Sequence, residues 1–334
     1  MITGIEKNEL KNIFDSFNSL KVLIIGDVMI DSYLFGNVHR ISPEAPVPIV
    51  SVSNKDNRLG GAANVALNIQ SLGAIPYLCS VIGNDDKADL FIELLEKQGL
   101  PNDGILKSKE RITTVKTRII GNNHQMLRVD SELETNISEE ESDALFNKID
   151  CLIKQEGFKV IIFEDYDKGL ITSNLIDKVI NLATSKNIPV AVDPKKKNFL
   201  SYKKATLFKP NLKELKEGLK IDFNHKNNQE LISAIELLKE KLEIKKALIT
   251  LSESGVFISN ETENLLVPAH IRNIADVSGA GDTVISVASL CLALGLSDFL
   301  TASLANLAGG LVCERLGVVP IDKNQLYTEA SNLL

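Results

Sequence analysis

Short, continuously apolar segments alternate with helical periods along most of the chain, and this alternation limits the folds that it can adopt. Six β-branched apolar segments predict strands at 21–25, 76–81, 159–163, 189–192, 205–208 and 247–250. Amphipathic periods predict helices at 62–72, 87–98, 139–155, 173–186 and 229–242. Strands that are apolar on both faces lie inside a covered sheet, and strand–helix alternation produces right-handed crossovers. We therefore predict an α/β fold, with a mostly parallel central sheet and helices on both faces.

Two segments depart from this pattern because their strands are semi-polar on both faces. They are 46–52 (PVPIVSV) and 113–129 (TTVKTRIIGNNHQMLRV), and the second contains the turn residues Gly121, Asn122 and Asn123. Gly and Asn adopt the positive φ angles that tight hairpin turns require. The segments predict a small β-sheet beside the main sheet, acting as a lid or as a subunit interface.

Composition excludes several classes of function. The chain has 334 residues, a formal net charge of -7 and a pI near 5.3, which argues against a broad nucleic-acid surface. The longest apolar run, 283–296, is too short to span a bilayer and contains two serines, so it predicts a buried helix. The N-terminus lacks the apolar core of a signal peptide, and the four cysteines lack metal-site spacing. We expect a cytoplasmic protein that binds neither nucleic acid nor membrane.

Polar side chains follow most of the predicted strands. They occur at 26–31, 164–169, 193–195, 209–214 and 250–255. Each group alone is typical of a turn or a helix cap. In an open parallel sheet, however, ligands bind beyond the carboxyl ends of the strands, where these groups meet. The pattern therefore predicts a site at this edge.

The stretch DVSGAGD, at 276–282, is the most informative motif. Its small residues let backbone N–H groups approach an anion, and the helix that follows directs the positive end of its dipole there. A carboxylate at such a position normally caps the helix itself, which is the structural interpretation of Asp282. The alternative is phosphoryl transfer, in which Asp282 takes a proton from a hydroxyl while Gly279, Ala280 and Gly281 form an anion hole.

A second glycine-rich stretch, LGGAANVA at 59–66, also precedes a helix. Gly60 and Gly61 permit close approach to the backbone, and Asn64 offers both donors and acceptors to hydroxyl groups. A tight turn beside a buried Asn is the structural alternative. Neither stretch matches GxxxxGK[ST], and neither is a GxGxxG after a strand, so Walker-type nucleotide binding and dinucleotide binding lack their signatures.

GGAANVA and DVSGAGD resemble the two signature segments of the ribokinase-like (PfkB) carbohydrate kinases, in the expected order. The segments GDVMIDSYLFGNVHRISPEAPVPIV, DYDKG, VDPK, KPNLKE and ANLAGGLVCERLG extend the resemblance over most of the chain. It implies a Rossmann-like ribokinase fold as a single kinase domain over 1–334, with a β-lid at about 33–53 and 112–130. It also implies a homodimer formed through the lid. No nucleotidyltransferase domain is expected within this length.

The resemblance also assigns roles to residues, with ATP and Mg²⁺ as the implied cofactors. Asp282 would be the general base and Glu214 the Mg²⁺ residue, acting through water. Residues that would bind the sugar are Asp31, Gly60, Gly61, Asn64 and Asp165. Residues that would surround the nucleotide and its phosphates are Lys195, Asn211, Glu214, Thr250, Ser252, Gly255 and Asn306.

A phosphorylated sugar would also need cations for its own phosphate. The lid segments offer Arg40, Lys116, Arg118 and Arg128. Two of them, Lys116 and Arg118, are two residues apart and would share one face of a strand. Charged side chains on semi-exposed strands also commonly face water, so both interpretations stay open.

The family branch that these segments resemble phosphorylates D-glycero-β-D-manno-heptose 7-phosphate at its anomeric hydroxyl, giving the 1,7-bisphosphate for ADP-heptose and lipopolysaccharide precursors. The same motifs would also suit a kinase of another sugar, such as fructose phosphate, ribose or a nucleoside. A non-catalytic sugar- or nucleotide-binding regulator is a third hypothesis, and the presence of Asp282 argues against it.

Overall fold

The computed structural model describes residues 5–333, so residues 1–4 and 334 of the predicted domain lie outside the described residues. The helices are α1 (Lys7–Ser16), α2 (Ala62–Ser71), α3 (Asp86–Lys97), α4 (Glu139–Gln155), α5 (Ser173–Ser185), α6 (Leu212–Leu219), α7 (Asn228–Leu242), α8 (Ala280–Ala293), α9 (Asp298–Val312) and α10 (Lys323–Leu333).

The strands form two sheets. The central sheet contains β1 (Lys21–Gly26), β4 (Ile75–Gly83), β5 (Ile105–Ser108), β8 (Val160–Glu164), β9 (Val190–Asp193), β10 (Leu207–Phe208), β11 (Lys246–Thr250), β12 (Val256–Ser259) and β13 (Asn264–Val267). The smaller sheet, which we call the lid, contains β2 (Val28–Ile41), β3 (Pro48–Gly61), β6 (Val115–Gly121) and β7 (His124–Ser131).

The central sheet has the strand order β13-β12-β11-β10-β9-β8-β1-β4-β5. Its pairings are parallel from β5 through β11, and β12 and β13 add antiparallel strands at one edge. This arrangement confirms the predicted α/β class. Because these pairings are parallel, the carboxyl ends of neighbouring strands lie side by side at one end of the sheet. The strands concerned are β9, β8 and β1, together with β10 and β11.

Two hydrophobic cores lie on opposite faces of this sheet. Along β1, Val22 and Ile24 belong to the core under α1, α2, α8 and α9, whereas Leu23 and Ile25 belong to the core under α4, α5 and α7. All four side chains are fully buried. Because successive side chains of a strand point to opposite faces, a continuous apolar run is needed to fill both cores.

The predicted strands and helices are present, one strand in shortened form, whereas helices α1, α6, α9 and α10 were not predicted. The predicted strand 205–208 is shorter, because Lys204 has a positive φ of 66° before it and Pro210, which has no N–H group, follows it. Strands β5, β12 and β13 were not predicted. Each has only four residues, and β13 is partly exposed, so none has a long apolar run.

The predicted small sheet is present, and its strands β2 and β3 extend beyond the predicted 33–53. Strand β2 begins at Val28 and strand β3 ends at Gly61, and these two residues pair with each other. The ladder between β2 and β3 therefore continues as far as the central sheet, where β1 ends at Gly26. The predicted hairpin is also present, with Asn122 at φ 51° and Asn123 at φ 65° between β6 and β7.

No helix within residues 5–333 is long and apolar enough to cross a membrane. The apolar run at 283–296 instead contributes most of α8, whose residues from Asp282 to Cys291 are buried.

Candidate active site

Helix α8 begins at the edge of the central sheet without a side-chain cap. Its N-cap residue, Gly279, has a φ of 81°, a left-handed conformation that costs glycine little. Helices α4, α5 and α6, by contrast, are each capped by a Ser, Thr or Asn side chain. The first amides of a helix lack acceptors within the helix and carry its positive dipole end. The Ala280 amide donates to the Val277 carbonyl at 3.3 Å. Ala280, one of the three predicted anion-hole residues, therefore already has an acceptor for its amide, while the absence of a side-chain cap leaves the start of α8 suited to an anion.

Asp282 is the third residue of α8, and its carboxylate does not cap the helix. It is buried, and its Oδ2 accepts a hydrogen bond from Asn64 Nδ2 at 2.6 Å. Its Oδ1 accepts from the Tyr166 hydroxyl at 2.7 Å. Burial raises the pKa of the Asp282 carboxyl, whereas the Asn64 and Tyr166 hydrogen bonds lower it. The carboxylate is thus held by α2 and by the loop after β8, at the N-terminus of α8.

Buried charges from neighbouring strand ends surround this carboxylate. One oxygen of each of Glu164, Asp193 and Asp282 lies within 4.8 Å of the others. Lys209 Nζ lies 2.7 Å from Asp193 Oδ2 and supplies a positive charge to this group. Burial, followed by the charges of Asp193 and Asp282, raises the pKa of Glu164 well above its usual range. Glu164 therefore favours its neutral form, which limits the repulsion on Asp282.

Four of the seven residues predicted to surround a nucleotide line one cavity of about 610 Å³. The start of α8 forms part of the same wall, so the predicted anion hole opens into this cavity. Six residues predicted from the sequence lie here together: Thr250, Ser252, Gly255, Ala280, Gly281 and Asn306. Asn306 also donates to the Pro268 carbonyl at 2.8 Å, which ties α9 to the segment after β13.

The other walls of this cavity were not predicted. One is the segment 269–277 between β13 and α8, and another is the pair Gly309 and Gly310 on α9. A side chain at Gly310 would meet Arg272, whose Cδ would lie 3.1 Å from the added Cβ. Arg272 is held by Glu314 and Glu329. Adjacent glycines inside an apolar helix were the one sequence signal for this wall.

Asn211, Glu214 and Lys195 do not line this cavity but form a connected group next to it, where Asn211 bridges Thr250. Asn211 and Glu214 cap α6 reciprocally, each side chain accepting from the backbone amide of the other at 2.8 Å. The second Glu214 oxygen accepts from Lys195 Nζ at 2.6 Å. Both oxygens of Glu214 are therefore engaged. This donor set fits a hydrated divalent ion held through water better than direct coordination.

The residues predicted to bind the sugar lie where the lid meets the central sheet. Asp31 is buried on β2 and accepts a hydrogen bond from Arg118 of β6. Gly60 is required beside it, because a Cβ there would lie 2.1 Å from Asp31 Oδ2. Gly61 ends β3, and Asn64 follows in the first turn of α2. The structure thus brings together four residues predicted to bind the sugar and one cation predicted to bind its phosphate.

Arg58 is a cation that the sequence analysis missed. The guanidinium carbons of Arg58 and Arg118 lie 4.9 Å and 5.2 Å from the centroid of the Tyr33 ring. Arg58 also donates to the Val318 carbonyl at 3.3 Å, and a Cβ on Gly279 would lie 3.4 Å from Val318. The Nε of Arg58 also pairs with Asp56 at 2.8 Å. Through Val318, Arg58 connects the lid to the segment after α9, which lies beside the start of α8.

The structure argues against a phosphate-binding role for the other three predicted cations. Lys116 is paired with Asp130 and Glu132, at 3.2 Å and 2.8 Å. Arg128 is half-exposed and pairs with Asp130. Arg40 is exposed near the outer end of β2, about 30 Å along the strand from Asp31 at 3.3 Å per residue.

Asp165 also differs from its prediction as a sugar-binding residue. Its oxygens accept hydrogen bonds from the Tyr202 hydroxyl at 2.6 Å, from Asn198 at 3.2 Å and from the Asp167 amide at 2.8 Å. It is also fully buried. Because successive residues after a strand face opposite ways, Glu164 points to the Asp282 group and Asp165 points into the other core. Its two oxygens thus accept hydrogen bonds from the protein itself.

A model described as pfkB family carbohydrate kinase matches residues 19–324. The chain belongs to this family. It is 40% identical over 313 residues to the bifunctional protein HldE of Aliarcobacter butzleri (strain RM4018), covering 93% of the chain and 64% of that protein. It is 37% identical over 331 residues to the bifunctional protein HldE of Citrifermentans bemidjiense (strain ATCC BAA-1014 / DSM 16622 / JCM 12645 / Bem), covering 98% and 66%. The chain therefore spans slightly under two-thirds of these relatives.

Solved structures with the same fold include sugar kinases of low sequence identity. The tetrameric inhibited form of phosphofructokinase-2 from Escherichia coli superimposes with a TM-score of 0.76 at 17% identity, covering 93% of this chain and 99% of that one. Arabidopsis thaliana ribokinase complexed with ribose and ATP gives a TM-score of 0.69 at 16% identity, covering 92% and 99%. The protein is thus a carbohydrate kinase of ribokinase-like fold, a family that uses ATP and typically a divalent metal ion.

If this cavity binds the nucleotide, a larger side chain in its wall should lower the affinity for ATP. Replacing Gly310 with leucine places a side chain beside Arg272 in the cavity wall. We expect ATP affinity, measured by isothermal titration calorimetry, to fall by about tenfold or more, which corresponds to ~1.4 kcal/mol. The matched control is Gly157→Leu, because a Cβ at that exposed position meets nothing within 4 Å. Equal ATP affinity in the two variants would contradict a nucleotide role for this cavity.

Proposed function

We propose that this carbohydrate kinase transfers the γ-phosphoryl group of ATP to the anomeric hydroxyl of D-glycero-β-D-manno-heptose 7-phosphate, giving the 1,7-bisphosphate. The observation that carries the reaction type is the buried Asp282 carboxylate beside an uncapped helix N-terminus that opens into the cavity. The support for the heptose is the resemblance of 26–50 and the later motifs to the heptose kinase branch, together with similarity to the HldE proteins.

Asp282 is the proposed general base. The sugar hydroxyl oxygen bonds to the γ-phosphorus, the bond from that phosphorus to the bridging oxygen breaks, and ADP leaves. The hydroxyl proton passes to Asp282, and burial favours this transfer because it raises the pKa of the carboxyl. The amides at the start of α8 then stabilise the negative charge on the transferring group.

The nucleotide is proposed to occupy the cavity bounded by Thr250, Ser252, Gly255 and Asn306. Glu214, with Asn211 and Lys195, would hold Mg²⁺ through water. The ion, when bound, would neutralise phosphate charge. Burial lowers the pKa of the half-buried Lys195 ammonium group, but the carboxylates of Asp193 and Glu214 raise it by more, so Lys195 remains a cation beside the proposed phosphate site.

The phosphate of the sugar is proposed to bind between Arg58 and Arg118. Both guanidinium groups face the Tyr33 ring, and Arg118 is joined to Asp31, a predicted sugar ligand. Guanidinium groups bind phosphate in a bidentate manner, so the pair would orient the substrate as well as attract it. Asp31 and Asn64 would contact the sugar hydroxyls between this cation pair and Asp282.

We further propose that 1–334 acts as one kinase domain, of which the family match covers residues 19–324, and that the lid joins two copies into a homodimer. Strand β7 is exposed along its whole length, including Leu127 at 56% and Val129 at 49%. These apolar side chains lie two residues apart on one face of an edge strand, which a second lid would cover.

A substrate panel tests the proposed function. We expect Mg²⁺-dependent ADP release to be fastest, by kcat/KM, with D-glycero-β-D-manno-heptose 7-phosphate among heptose, fructose and ribose phosphates, the free sugars and nucleosides. A preference for a fructose phosphate, ribose or a nucleoside would overturn the heptose assignment. No turnover with any acceptor would overturn kinase activity by this chain.

The role of Asp282 predicts that Asp282→Asn lowers kcat at least about 1000-fold, since it removes the base and part of the charge arrangement around it. ATP affinity is expected to stay within threefold, or about 0.7 kcal/mol. The matched control is Asp298→Asn. Asp298 is also a buried carboxylate, but it pairs with Asn260 and with Lys246, which lies at the amino end of β11, away from the proposed site. Activity retained by Asp282→Asn would remove Asp282 from the mechanism.

The arginine pair predicts a defect that depends on the substrate phosphate. Arg58→Met and Arg118→Met keep the side-chain stem and remove the charge. We expect KM for the heptose 7-phosphate to rise about tenfold or more in each, from the loss of a charged hydrogen bond. Weak activity on the unphosphorylated heptose should change little in Arg58→Met, because Arg58 pairs with Asp56 rather than with a residue proposed to bind the sugar. Arg128→Met is the control, because Arg128 is half-exposed on the lid. A similar KM in all three variants would exclude Arg58 and Arg118 as the binding site for the phosphate of the sugar.

A further inference from the structure

The Tyr166 hydroxyl contacts Asp282 directly, although nothing in the sequence motifs assigns Tyr166 a role. Its oxygen lies 2.7 Å from Asp282 Oδ1. Burial, followed by the charge of Asp282, raises the pKa of Tyr166 well above its usual range. The hydroxyl therefore stays protonated and donates to the carboxylate.

The backbone that carries Tyr166 is held by a second buried carboxylate, at the end of β1. Asp27 accepts hydrogen bonds from the amides of Tyr166 at 2.9 Å and of Lys168 and Leu170 at 3.2 Å. The ammonium group of Lys195 lies 5.4 Å from the centroid of the Tyr166 ring. Because backbone and ring are both restrained, the hydroxyl has a defined position.

Tyr166 and Asn64 together determine how the carboxylate of Asp282 is oriented. Each donates to a different oxygen, at 2.7 Å and 2.6 Å, so rotation of the carboxylate about its bond to Cβ breaks both hydrogen bonds. A carboxylate oxygen has about two lone pairs, so each oxygen can still accept from a substrate hydroxyl. The two hydrogen bonds therefore restrict the orientation of the carboxylate and leave lone pairs free for the substrate hydroxyl.

The polar groups that face Asp282 come from α2 and from the carboxyl ends of three strands. Asn64 lies on α2, Tyr166 and Glu164 lie at the end of β8, Asp193 ends β9, and Lys209 follows β10. Burial and the charge of Asp193 raise the pKa of Asp282, whereas Asn64, Tyr166 and Lys209 lower it. Removing the Tyr166 hydroxyl removes one of the groups that favour the ionised carboxylate.

We propose that Tyr166 is a positioning residue for the general base: its hydroxyl, with Asn64, holds the Asp282 carboxylate ionised and oriented toward the acceptor hydroxyl. This inference rests on the proposed role of Asp282. It adds a side chain from the DYDKG segment, one that does not itself take a proton or bind the phosphoryl group.

Tyr166→Phe tests the proposal, because it removes the hydroxyl and keeps the ring. With MgATP and D-glycero-β-D-manno-heptose 7-phosphate, we expect kcat to fall by about 10- to 100-fold, as for the loss of a hydrogen bond to a charged group. KM for ATP should change less than threefold, or about 0.7 kcal/mol. Since the base acts in its ionised form and its pKa would rise, the rising limb of the kcat–pH profile should move to higher pH.

The matched control is Tyr202→Phe. Tyr202 is also a buried tyrosine that donates to a carboxylate, Asp165, at 2.6 Å, but it lies in the opposite core. We expect both variants to lose similar thermal stability. Only Tyr166→Phe should change kcat and the pH profile. The same change in both variants, or in neither, would overturn the proposal.

A titration of the Asp282 carboxyl carbon by ¹³C NMR tests the contact without any substrate. The signal is assigned by its absence from Asp282→Asn. We expect its midpoint to move to higher pH in Tyr166→Phe and to stay in place in Tyr202→Phe; no movement in Tyr166→Phe would overturn the proposal. If Tyr166→Phe does not fold, 3-fluorotyrosine at position 166 keeps the hydroxyl as a stronger donor. It should move the midpoint to lower pH, and an unchanged midpoint would overturn the proposal.

These measurements separate the inference from the proposed function. Full activity in Asp282→Asn removes the general base, and the proposed function fails with it. An inactive Asp282→Asn, together with wild-type kcat and pH profile in Tyr166→Phe, leaves the proposed function standing and overturns the role of Tyr166 alone.

Discussion

The burial of the Asp282 carboxylate is the constraint on which the rest of the site depends. A carboxylate removed from water is costly unless hydrogen bonds replace its hydration. Here the replacements come from Asn64 on α2 and from Tyr166 after β8, while the carboxylate itself lies on α8. Three elements from distant parts of the chain must therefore pack correctly before the proposed base has its environment. Any of the three, if displaced, would leave a buried charge unpaired.

The same requirement explains the charges at the neighbouring strand ends. Asp27, Glu164 and Asp193 end or follow β1, β8 and β9, which are adjacent in the sheet, and all three are buried. Each is accommodated differently: Asp27 accepts three backbone amides, Asp193 pairs with Lys209, and Glu164 favours protonation. Charge is thus concentrated at this edge with limited repulsion, in a low-dielectric setting that strengthens each remaining interaction.

The lid is joined to this arrangement through the loop that carries Tyr166. Lys168, two residues later, pairs with Glu132 and Glu134 just after β7, and Glu132 also pairs with Lys116 on β6. Strand β6 carries Arg118 as well. The proposed phosphate-binding arginine and the proposed positioning tyrosine therefore belong to connected segments. Sugar phosphate bound at the lid would contact a sheet that shares ion pairs with the loop beside the base.

The sequence alone determined the α/β class and the two glycine-rich starts of α2 and α8, because periodicity and small residues act locally. The bounds predicted for α4, 139–155, agree with the structure, since a capping box at Ser138 and a regular apolar face define it. Only the tertiary structure decided that Asp282 accepts hydrogen bonds from Asn64 and Tyr166. The same holds for the placement of Arg58 and Arg118 over one tyrosine ring and for the pairing of Lys116 with two carboxylates. The physical reason is that these contacts join residues up to 218 positions apart, as for Asn64 and Asp282. Strand order and packing bring them together, and no local pattern records which side chains then meet.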